Sequence, residues 1–303
     1  MVSPADFAEA RSRSVDLARR TSFRIGGRPE YLFEPTTEEE AGLVVAACRA
    51  RGVPLRILGG GCNLLVADGV LEGACLATSR LRFERVLEDR VEVGAGNPFP
   101  ALVQRSADLG IPHLSGCPGI PGSVGGVVAM NAGGKFGCVG DALLEVAGFD
   151  VDGVPFRRLV RPGDLGYRRT AFQGLLVTSA SFRRDPTFGP VEREAARRLW
   201  LEAMAWKRKT QPLSAWSAGC VFKNPAPPAI PGNPAPSAGA LIDGAGLKGD
   251  RVGSARVSPV HANFIVNEGG ATFRDVAALV DRVRDRVRES RGVDLELELK
   301  VWR

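Results

Sequence analysis

Apolar residues recur at helical spacing in two long stretches of the chain. The stretch 36–52 opens with two threonines that can cap a helix and three glutamates that complement its dipole, and it closes on Gly52. The stretch 272–292 opens with Thr272 and Asp275 at capping-box spacing and repeats valine and leucine along one face. Both stretches are predicted to be amphipathic helices. Two further helices are predicted over 100–110 and 191–208.

Short runs of β-branched and other apolar residues predict strands. Two of them, 146–151 and 154–160, flank Asp152-Gly153, a pair that favours a tight hairpin turn. Near the end of the chain, leucine and valine alternate with glutamate and lysine, which predicts a strand with one buried face over 295–302. Strands are also predicted over 55–58, 91–96 and 175–184, and a proline-rich loop over 225–236.

Two glycine-rich segments follow predicted strands. Gly59 to Asn63 reads GGGCN, and the segment 115–134 has glycine at a density that regular helices and strands do not tolerate. Backbone N–H groups in such segments approach a ligand closely, so the pair suits the pyrophosphate of a dinucleotide. GGGCN lacks the spacing of a Rossmann fingerprint and the Lys-Ser/Thr of a P-loop, which argues against an NTPase. The alternative is a pair of tight turns without a ligand.

Composition and charge narrow the classes of function. The 303 residues carry a net charge of +6 that is spread along the chain, whereas a nucleic-acid-binding protein usually shows a clustered basic face. An acidic small molecule fits this charge better. The sequence shows neither a run of about 18 apolar residues nor a signal-peptide pattern. We therefore predict a cytoplasmic protein with no membrane or nucleic-acid partner.

Cysteine and histidine usage argues against a metal site. The six cysteines are dispersed without a CxxC pair, which is typical of neither a structural zinc site nor a disulfide framework. The two histidines exclude a histidine-rich metal centre. Reduced thiols and no bound metal are predicted.

The stretch SAGCVFKNP carries the strongest candidate chemistry. Cys220 stands between Gly219 and the cationic, amide-bearing Lys223-Asn224, and a thiol is mostly protonated at neutral pH. Cys220 is therefore available to give a proton to a developing carbanion. The alternative is a small buried hydrophobe, the commoner role of cysteine.

Three other residues are candidates by their chemistry. Arg168 in GYRRTAF has a guanidinium that can grip a carboxylate bidentately, or it is a surface arginine. Glu298 faces either a cleft or water, because alternation places it opposite the leucines and decides no more. His261 in HANF is either a ligand contact or a structural histidine.

Together the ordered motifs resemble the UDP-N-acetylenolpyruvoylglucosamine reductases of peptidoglycan precursor synthesis, also called UDP-N-acetylmuramate dehydrogenases. The resemblance covers nearly the whole chain. The motifs that carry it are TSFRIGG, ILGGGCNLLV, GCPGIPGSVGGVVAMNAGG, GYRRTAF, SAGCVFKNP, SAGALIDGAGLKG, VSPVHANFIVN and LELELKV.

The resemblance implies an α+β fold with a two-part FAD-binding domain of the vanillyl-alcohol-oxidase (PCMH) type over 1–80 and 81–190. An α/β substrate-binding domain would follow over 191–303. FAD would be bound non-covalently, with NADPH as the co-substrate and a monomer as the favoured state. Hydride would pass from flavin N5 to the enolpyruvyl group of UDP-N-acetylenolpyruvoylglucosamine, and the product would be UDP-N-acetylmuramate.

The resemblance also implies roles for individual residues. Cys220 matches the general acid, commonly serine, and Arg168 and Glu298 match the pair that stabilises charge developing on the substrate. Glu298 would have to be protonated or to orient another donor. The implied FAD-binding residues are Gly59, Gly60, Gly61, Cys62, Asn63, Leu64, Pro118, Gly119, Gly122, Ser123, Gly125, Gly126, Asn131, Ala132 and Gly133. The implied substrate-binding residues are Tyr167, Arg208, Lys223, Asn224, His261 and Asn263.

The chain departs from the family pattern at a few positions. Cys62 stands where GGGSN is commoner, Arg20 precedes TSFRIGG where asparagine or histidine is usual, and Gly244 replaces a larger residue. Both tyrosines, Tyr31 and Tyr167, lie in other motifs, so neither is available for the tyrosine-bearing lid of one class. The chain resembles the lidless class.

Two other functions are weighed against this one. An oxidase of the same FAD fold commonly tethers its flavin through histidine or cysteine, and residues 1–112 contain no histidine, which weakens that function. The second is a non-catalytic module that binds a flavin or a nucleotide sugar. The presence of Cys220, Arg168 and Glu298 together argues against it.

Overall fold

The computed structural model describes residues 2–226 and 236–303. The predicted proline-rich loop therefore lies largely outside the described residues. In the described part of the chain the helices are α1 (Pro4–Ser12), α2 (Glu38–Ala50), α3 (Phe99–Arg105), α4 (Val124–Ala129), α5 (Pro190–Thr210), α6 (Ala238–Gly244) and α7 (Phe273–Arg291). The strands there are β1 (Arg28–Phe33), β2 (Leu55–Leu58), β3 (Leu64–Val66), β4 (Val70–Ala77), β5 (Glu84–Val86), β6 (Arg90–Gly94), β7 (Gly133–Gly134), β8 (Gly137–Cys138), β9 (Leu143–Phe149), β10 (Pro155–Leu159), β11 (Leu165–Gly166), β12 (Arg169–Thr170), β13 (Leu176–Arg183), β14 (Arg251–Val252), β15 (Ala255–Val257), β16 (Ile265–Asn267) and β17 (Lys300–Trp302).

The chain divides into two compact units, each built from three segments. Unit 1 consists of Met1–Ser14, Pro29–Gly60 and Glu72–Lys207. Unit 2 consists of Val15–Arg28, Gly61–Leu71 and Arg208–Arg303.

Unit 1 contains two main sheets. The smaller has the order β1-β4-β2, with β2 parallel to β4, and the larger has the order β10-β9-β13-β6-β5, with antiparallel neighbours. Helix α2 packs against β2 and β9. A Cβ atom at Gly42, inside α2, would lie 2.3 Å from the ring of Phe149 on β9, so glycine permits this close packing.

Unit 2 is organised around α7. This helix buries valine and leucine side chains along one face, and α6 and the antiparallel sheet β14-β15-β16 pack against it. In the same unit β17 runs parallel to β3, with Lys300 opposite Leu64. The buried face of α7 joins Phe222, Leu295 and Leu299 in one hydrophobic core.

Both long helices predicted from periodicity are confirmed, together with their caps. The Thr37 hydroxyl accepts a hydrogen bond from the backbone N–H of Glu40 over 3.1 Å at the start of α2. Thr272 and Asp275 form the predicted capping box of α7, and Gly292 ends it in the left-handed conformation with φ of 65°. The predicted hairpin is also confirmed, since β9 and β10 pair antiparallel on either side of Gly153.

Two local predictions are wrong. Of the strand expected over 295–302, only Lys300–Trp302 pairs in a ladder, because β3 is short. The preceding residues keep the alternating burial, with Leu295 and Leu299 buried and Glu296 exposed.

The glycine-rich segment, expected to be irregular, contains helix α4. A Cβ atom at Gly125 would lie 2.8 Å from the Cβ of Ala95, so glycine here permits the helix to pack closely.

Candidate active site

Glycines of the two glycine-rich segments lie against each other in unit 1. A Cβ atom at Gly59 would come within 2.7 Å of Ser123 Oγ, and one at Gly60 within 2.5 Å of the Cα of Gly122. A larger residue at Gly60 would force the two backbones apart, and one at Gly59 would displace the Ser123 hydroxyl. The contact therefore requires glycine for lack of space, as expected where backbone lines a ligand.

Unsatisfied polar atoms lie beside these glycines. Three buried side-chain polar atoms have no hydrogen-bond partner within residues 2–226 and 236–303, and two of them are Ser123 Oγ and Asn97 Oδ1. Asn97 is bonded to the residue after Ser123, since the N–H of Val124 donates to the carbonyl oxygen of Asn97 over 2.9 Å. Because an unpartnered buried polar group is costly, this pair is suited to a ligand that offers both an acceptor and a donor.

These features fit the cofactor that the motifs imply. The phosphate oxygens of FAD would accept from the Ser123 hydroxyl, and its hydroxyl or N–H groups would donate to Asn97 Oδ1. Asn97 was not among the predicted site residues. Its only signal in the sequence is a polar residue directly after the predicted strand 91–96.

The rest of the GGGCN loop belongs to unit 2. The carbonyl oxygen of Gly61 accepts a hydrogen bond from the backbone N–H of Ser22 over 3.1 Å. Burial raises the pKa of the Cys62 thiol, and a hydrogen bond with Ser22 opposes the shift. The side-chain amide of Asn63 donates to the carbonyl oxygen of Glu298 over 3.0 Å. The GGGCN loop is therefore bonded both to the segment TSFRIGG, through Ser22, and to the segment that carries Glu298.

Arg168 is held against the end of the second glycine-rich segment in unit 1. It occupies the turn between β11 and β12 with φ of 53°, a conformation that is rare for residues other than glycine. Its Nη2 donates to the carbonyl oxygen of Gly133 over 2.8 Å, and its guanidinium lies 5.2 Å from the ring centroid of Tyr167. Backbone strain of this kind clusters at functional sites, because the surrounding structure has to enforce it.

Asn131 connects the same two segments. It also has positive φ, 46°, and its Oδ1 accepts from the N–H of Gly140 while its Nδ2 donates to the carbonyl oxygen of Gly166, both over 3.0 Å. The amide thus fixes the glycine-rich segment to the hairpin that carries Arg168. A contact between Asn131 and the cofactor stays a prediction.

Lys207 is a buried cation that sequence reasoning did not single out. It lies on α5 with 6% of its surface exposed, whereas the predicted substrate ligand Arg208 beside it is exposed. A Cβ atom at Gly119 would lie 3.2 Å from Lys207 Cδ, so the lysine stem packs on the glycine-rich segment. A buried lysine in a charged helix has no signature in sequence, because periodicity does not distinguish it from its exposed neighbours.

Cys220 and Glu298 stand on two antiparallel backbone segments of unit 2. The N–H of Glu298 donates to the carbonyl oxygen of Val221 over 2.9 Å, and the N–H of Lys223 donates to that of Glu296 over 2.8 Å. Phe222 and Leu297 form a bridge between these bonds. The structure therefore joins the backbones that carry the predicted proton donor and the predicted carboxylate, both of whose side chains are half-buried.

The segment HANF lies on the other side of Cys220. Cys220 bridges Phe264, and the side chain of Asn263, which is 3% exposed, bonds to both backbone groups of Phe222. His261 Nδ1 accepts from the N–H of Asn263 over 3.2 Å. Burial lowers the pKa of His261, and the positive charge of Lys248 adds to the shift, which favours a neutral ring.

The remaining predicted substrate ligands differ in exposure. Lys223 Nζ forms an ion pair with Glu296, and Asn224 Oδ1 accepts from the N–H of Ala238 over 3.0 Å. Tyr167 is exposed. Among the described residues, no three histidine, cysteine, aspartate or glutamate side chains lie together in a way that could hold a metal ion.

Comparisons with known proteins identify both parts of the chain. Residues 29–156 match a family model described as an FAD binding domain, and residues 211–302 match the C-terminal domain of UDP-N-acetylenolpyruvoylglucosamine reductase. The reductase of Synechococcus sp. (strain WH7803) is 38% identical over 298 residues, covering 95% of this chain and 92% of that protein. The reductase of Moorella thermoacetica is 39% identical over 289 residues, covering 94% and 91%.

A solved structure gives the same result. The crystal structure of UDP-N-acetylenolpyruvylglucosamine reductase (MurB) from Thermus caldophilus matches with a TM-score of 0.78 and 38% sequence identity, over 96% of this chain and 98% of that one. The fold and the matched domains define an FAD-dependent oxidoreductase of mixed α and β structure, which confirms the predicted fold class and cofactor. The chain belongs to the UDP-N-acetylenolpyruvoylglucosamine reductase family.

Helix length and hydropathy give one further result. In the described part of the chain, every helix is too short or too polar to cross a membrane.

Proposed function

We propose that this protein reduces UDP-N-acetylenolpyruvoylglucosamine to UDP-N-acetylmuramate in the cytoplasm, with NADPH as the source of reducing equivalents. Family membership supports the reaction. The observation that carries the proposal is the pairing of the Cys220 and Glu298 segments through the 2.9 Å bond from the N–H of Glu298 to Val221.

The reaction adds two hydrogens across the double bond of the enolpyruvyl ether. FAD, once NADPH has reduced it, would supply one of them as a hydride. The other arrives as a proton at the neighbouring carbon, and Cys220 is the proposed donor. A thiol is protonated at neutral pH and still acidic enough to release its proton to a carbanion, which suits this step.

Charge that develops on the substrate has to be stabilised before the proton arrives. Arg168 is proposed to hold the substrate carboxylate, since a guanidinium binds a carboxylate bidentately and keeps its charge at any working pH. Its bond to Gly133 and its left-handed backbone orient the side chain in advance. Glu298 is proposed to act beside Cys220 in its protonated form or by orienting another donor.

Other residues are proposed to bind the two nucleotides. The glycines around Ser123, with Asn97, would hold FAD without a covalent bond, in line with the absence of histidine from residues 1–112. The proposed substrate ligands are Tyr167, Arg208, Lys223, Asn224 and His261. A monomer is the proposed state in solution.

A flavin spectrum followed through one catalytic cycle tests the proposal. The purified protein should be yellow, bleach on anaerobic addition of NADPH, and recover its colour when UDP-N-acetylenolpyruvoylglucosamine is added, with formation of UDP-N-acetylmuramate. Recovery with oxygen alone would indicate an oxidase, and a flavin that NADPH cannot reduce would indicate a binding module. Release of free FAD on denaturation would support non-covalent binding.

A further inference from the structure

The backbone on the C-terminal side of Cys220 bonds to the side chain of Asn263. Phe222 donates its N–H to Asn263 Oδ1 over 2.9 Å and accepts from Asn263 Nδ2 at its carbonyl oxygen over 2.8 Å. The backbone of Asn263 adds a third bond, because its carbonyl oxygen accepts from the N–H of Val221 over 2.9 Å. A primary amide has the same donor and acceptor pair as a peptide group, so the side chain of Asn263 bonds to Phe222 as the backbone of a neighbouring strand would.

The opposite edge of the same segment is also bonded. The carbonyl oxygen of Val221 accepts from Glu298, and the N–H of Lys223 donates to Glu296. Residues 221–223 are therefore bonded on both sides, by Asn263 and by the 296–298 segment. Gly219, in contrast, has φ of 79°, with nothing within 4 Å of where its Cβ would lie. Cys220, which itself bridges Phe264, thus stands between a glycine in the left-handed conformation and a segment bonded on both sides.

We infer that Asn263 is a positioning residue for the reaction: its side-chain amide fixes the backbone of Phe222, two residues after Cys220, and thereby sets the location of the Cys220 thiol relative to Glu298. This inference rests on the proposed role of Cys220 as proton donor. The family resemblance implied that Asn263 binds substrate, and no observation tests that role. Both amide functions bond to protein backbone and the residue is 3% exposed, so its surroundings support positioning instead.

The position of a proton donor affects one step far more than the others. Misplacement of a reacting group by about 1 Å can cost on the order of 100-fold in rate, while binding of substrate and of cofactor is little affected. Loss of the Asn263 amide should therefore lower kcat selectively. It should also loosen Cys220 itself, which is observable without turnover.

The test compares Asn263→Ala with Asn267→Ala. Asn267 is a matched control, since it is also buried in unit 2 and its side chain bonds only to backbone, with three bonds, to Phe23, Gly269 and Ala271, where the side chain of Asn263 has two. For Asn263→Ala we expect kcat for the enolpyruvyl substrate to fall by about 10- to 100-fold, with KM and the rate of flavin reduction by NADPH within about threefold of the parent. Asn267→Ala should destabilise the protein with kcat within about threefold of the parent.

The second readout is the rate at which iodoacetamide alkylates Cys220, followed by mass spectrometry of its peptide. Burial raises the pKa of the other half-buried thiols, Cys62 and Cys138, so their peptides serve as internal references. The Cys220 peptide should be alkylated at least about threefold faster in Asn263→Ala than in the parent, and at the parent rate in Asn267→Ala. If Asn263→Ala does not fold, the isosteric Asn263→Asp takes its place, since an ionised carboxylate there can accept from the N–H of Phe222 but cannot donate to its carbonyl oxygen.

Two results would overturn the inference: a Cys220 alkylation rate unchanged by loss of the amide, or a kcat that falls no further than in Asn267→Ala. Failure of the proposed function is distinguishable from both. If Cys220→Ala itself keeps full activity, the proton comes from another group, and the alkylation rates still decide whether Asn263 holds Cys220.

Discussion

The side-chain amide of Asn63 donates a hydrogen bond to the carbonyl oxygen of Glu298 over 3.0 Å. The bond joins residues 235 positions apart, and the N–H of Lys300 donates back to the carbonyl oxygen of Asn63 over 3.1 Å. The loop GGGCN and the segment that carries Glu298 therefore share hydrogen bonds within unit 2. A residue predicted to bind the cofactor also supports a residue predicted to act on the substrate.

Asn63→Ala should separate these two roles. Because the amide holds the Glu298 backbone, we expect the rate of substrate reduction to fall by about 10-fold, with a smaller change, of up to about threefold, in the Kd for FAD. Stopped-flow measurement of the two half-reactions and titration of apoprotein with FAD give both numbers. A loss of FAD binding at an unchanged rate of substrate reduction in the reconstituted protein would mean that the amide serves the cofactor alone.

Ser123→Ala should weaken FAD binding without lowering the thermal stability of the apoprotein. The Ser123 hydroxyl has no partner in the described residues, so its removal takes away an unsatisfied buried group and should not lower the stability of the apoprotein. FAD, in contrast, would lose a hydrogen bond of about 1 kcal/mol, which corresponds to roughly a fivefold to tenfold rise in Kd. Thermal melting of the apoprotein and FAD titration measure the two effects.

Ser115→Ala is the matched control for that prediction. Ser115 is also buried but has a partner, with 3.2 Å between its Oγ and that of Ser106. It should lower the melting temperature of the apoprotein and leave the Kd for FAD unchanged. The reverse pattern in the two variants would show that the Ser123 hydroxyl does not face the cofactor.

Cys220→Ala should keep FAD and accept reducing equivalents from NADPH but lose most turnover, because the missing group acts only when the substrate takes its proton. Cys220→Ser should keep substantial activity, since a hydroxyl has the same reach and can also donate. Alkylation should inactivate the parent enzyme and spare the serine variant. Near-normal activity of Cys220→Ala would remove the residue from the mechanism.

Arg168→Lys should slow reduction of the substrate by about 10-fold or more while the reaction with NADPH stays close to the parent rate, because an ammonium cannot grip a carboxylate bidentately. The bond to Gly133 would also be lost or redirected. Equal slowing of both half-reactions in stopped flow would assign Arg168 to the structure or to the cofactor.

His261 should make stability depend on pH on the acidic side of neutrality. Burial and, secondarily, Lys248 lower its pKa in the folded protein, whereas the unfolded chain takes up the proton near the ordinary value of 6.5. The stabilisation is therefore fully present above about pH 6.5 and declines as the pH falls below it. Melting temperatures at several pH values for the parent and for His261→Asn, whose Oδ1 can accept the same bond from Asn263, should diverge below that pH. Parallel curves would contradict the prediction.

Local patterns predicted much of the framework. Helices α2 and α7 carry their caps within three residues of their first turn, and the β9–β10 hairpin carries its turn between its strands. The same kind of pattern failed at 295–299, where alternation predicted the buried face correctly but a ladder incorrectly. Alternation reports which side of a strand is apolar, and a ladder requires a partner that lies elsewhere in the chain.

The sequence predicted which residues belong to the candidate site, but not their contacts or their burial. The motifs identified Cys220, Glu298, Arg168 and the glycine-rich segments, because unusual chemistry is visible residue by residue. Asn97, whose side-chain oxygen has no partner among the described residues, and the buried Lys207 carried no such signal.

By itself, then, the sequence determined that α2 and α7 form, which segments are rich in glycine and which family the chain resembles, since spacing and residue type act over a few neighbouring positions. Only the tertiary structure decided that Asn263 bonds to Phe222 across 41 residues and Asn63 to Glu298 across 235. The physical reason is that a hydrogen bond between distant segments depends on how the intervening chain packs, and no local pattern encodes its length or direction.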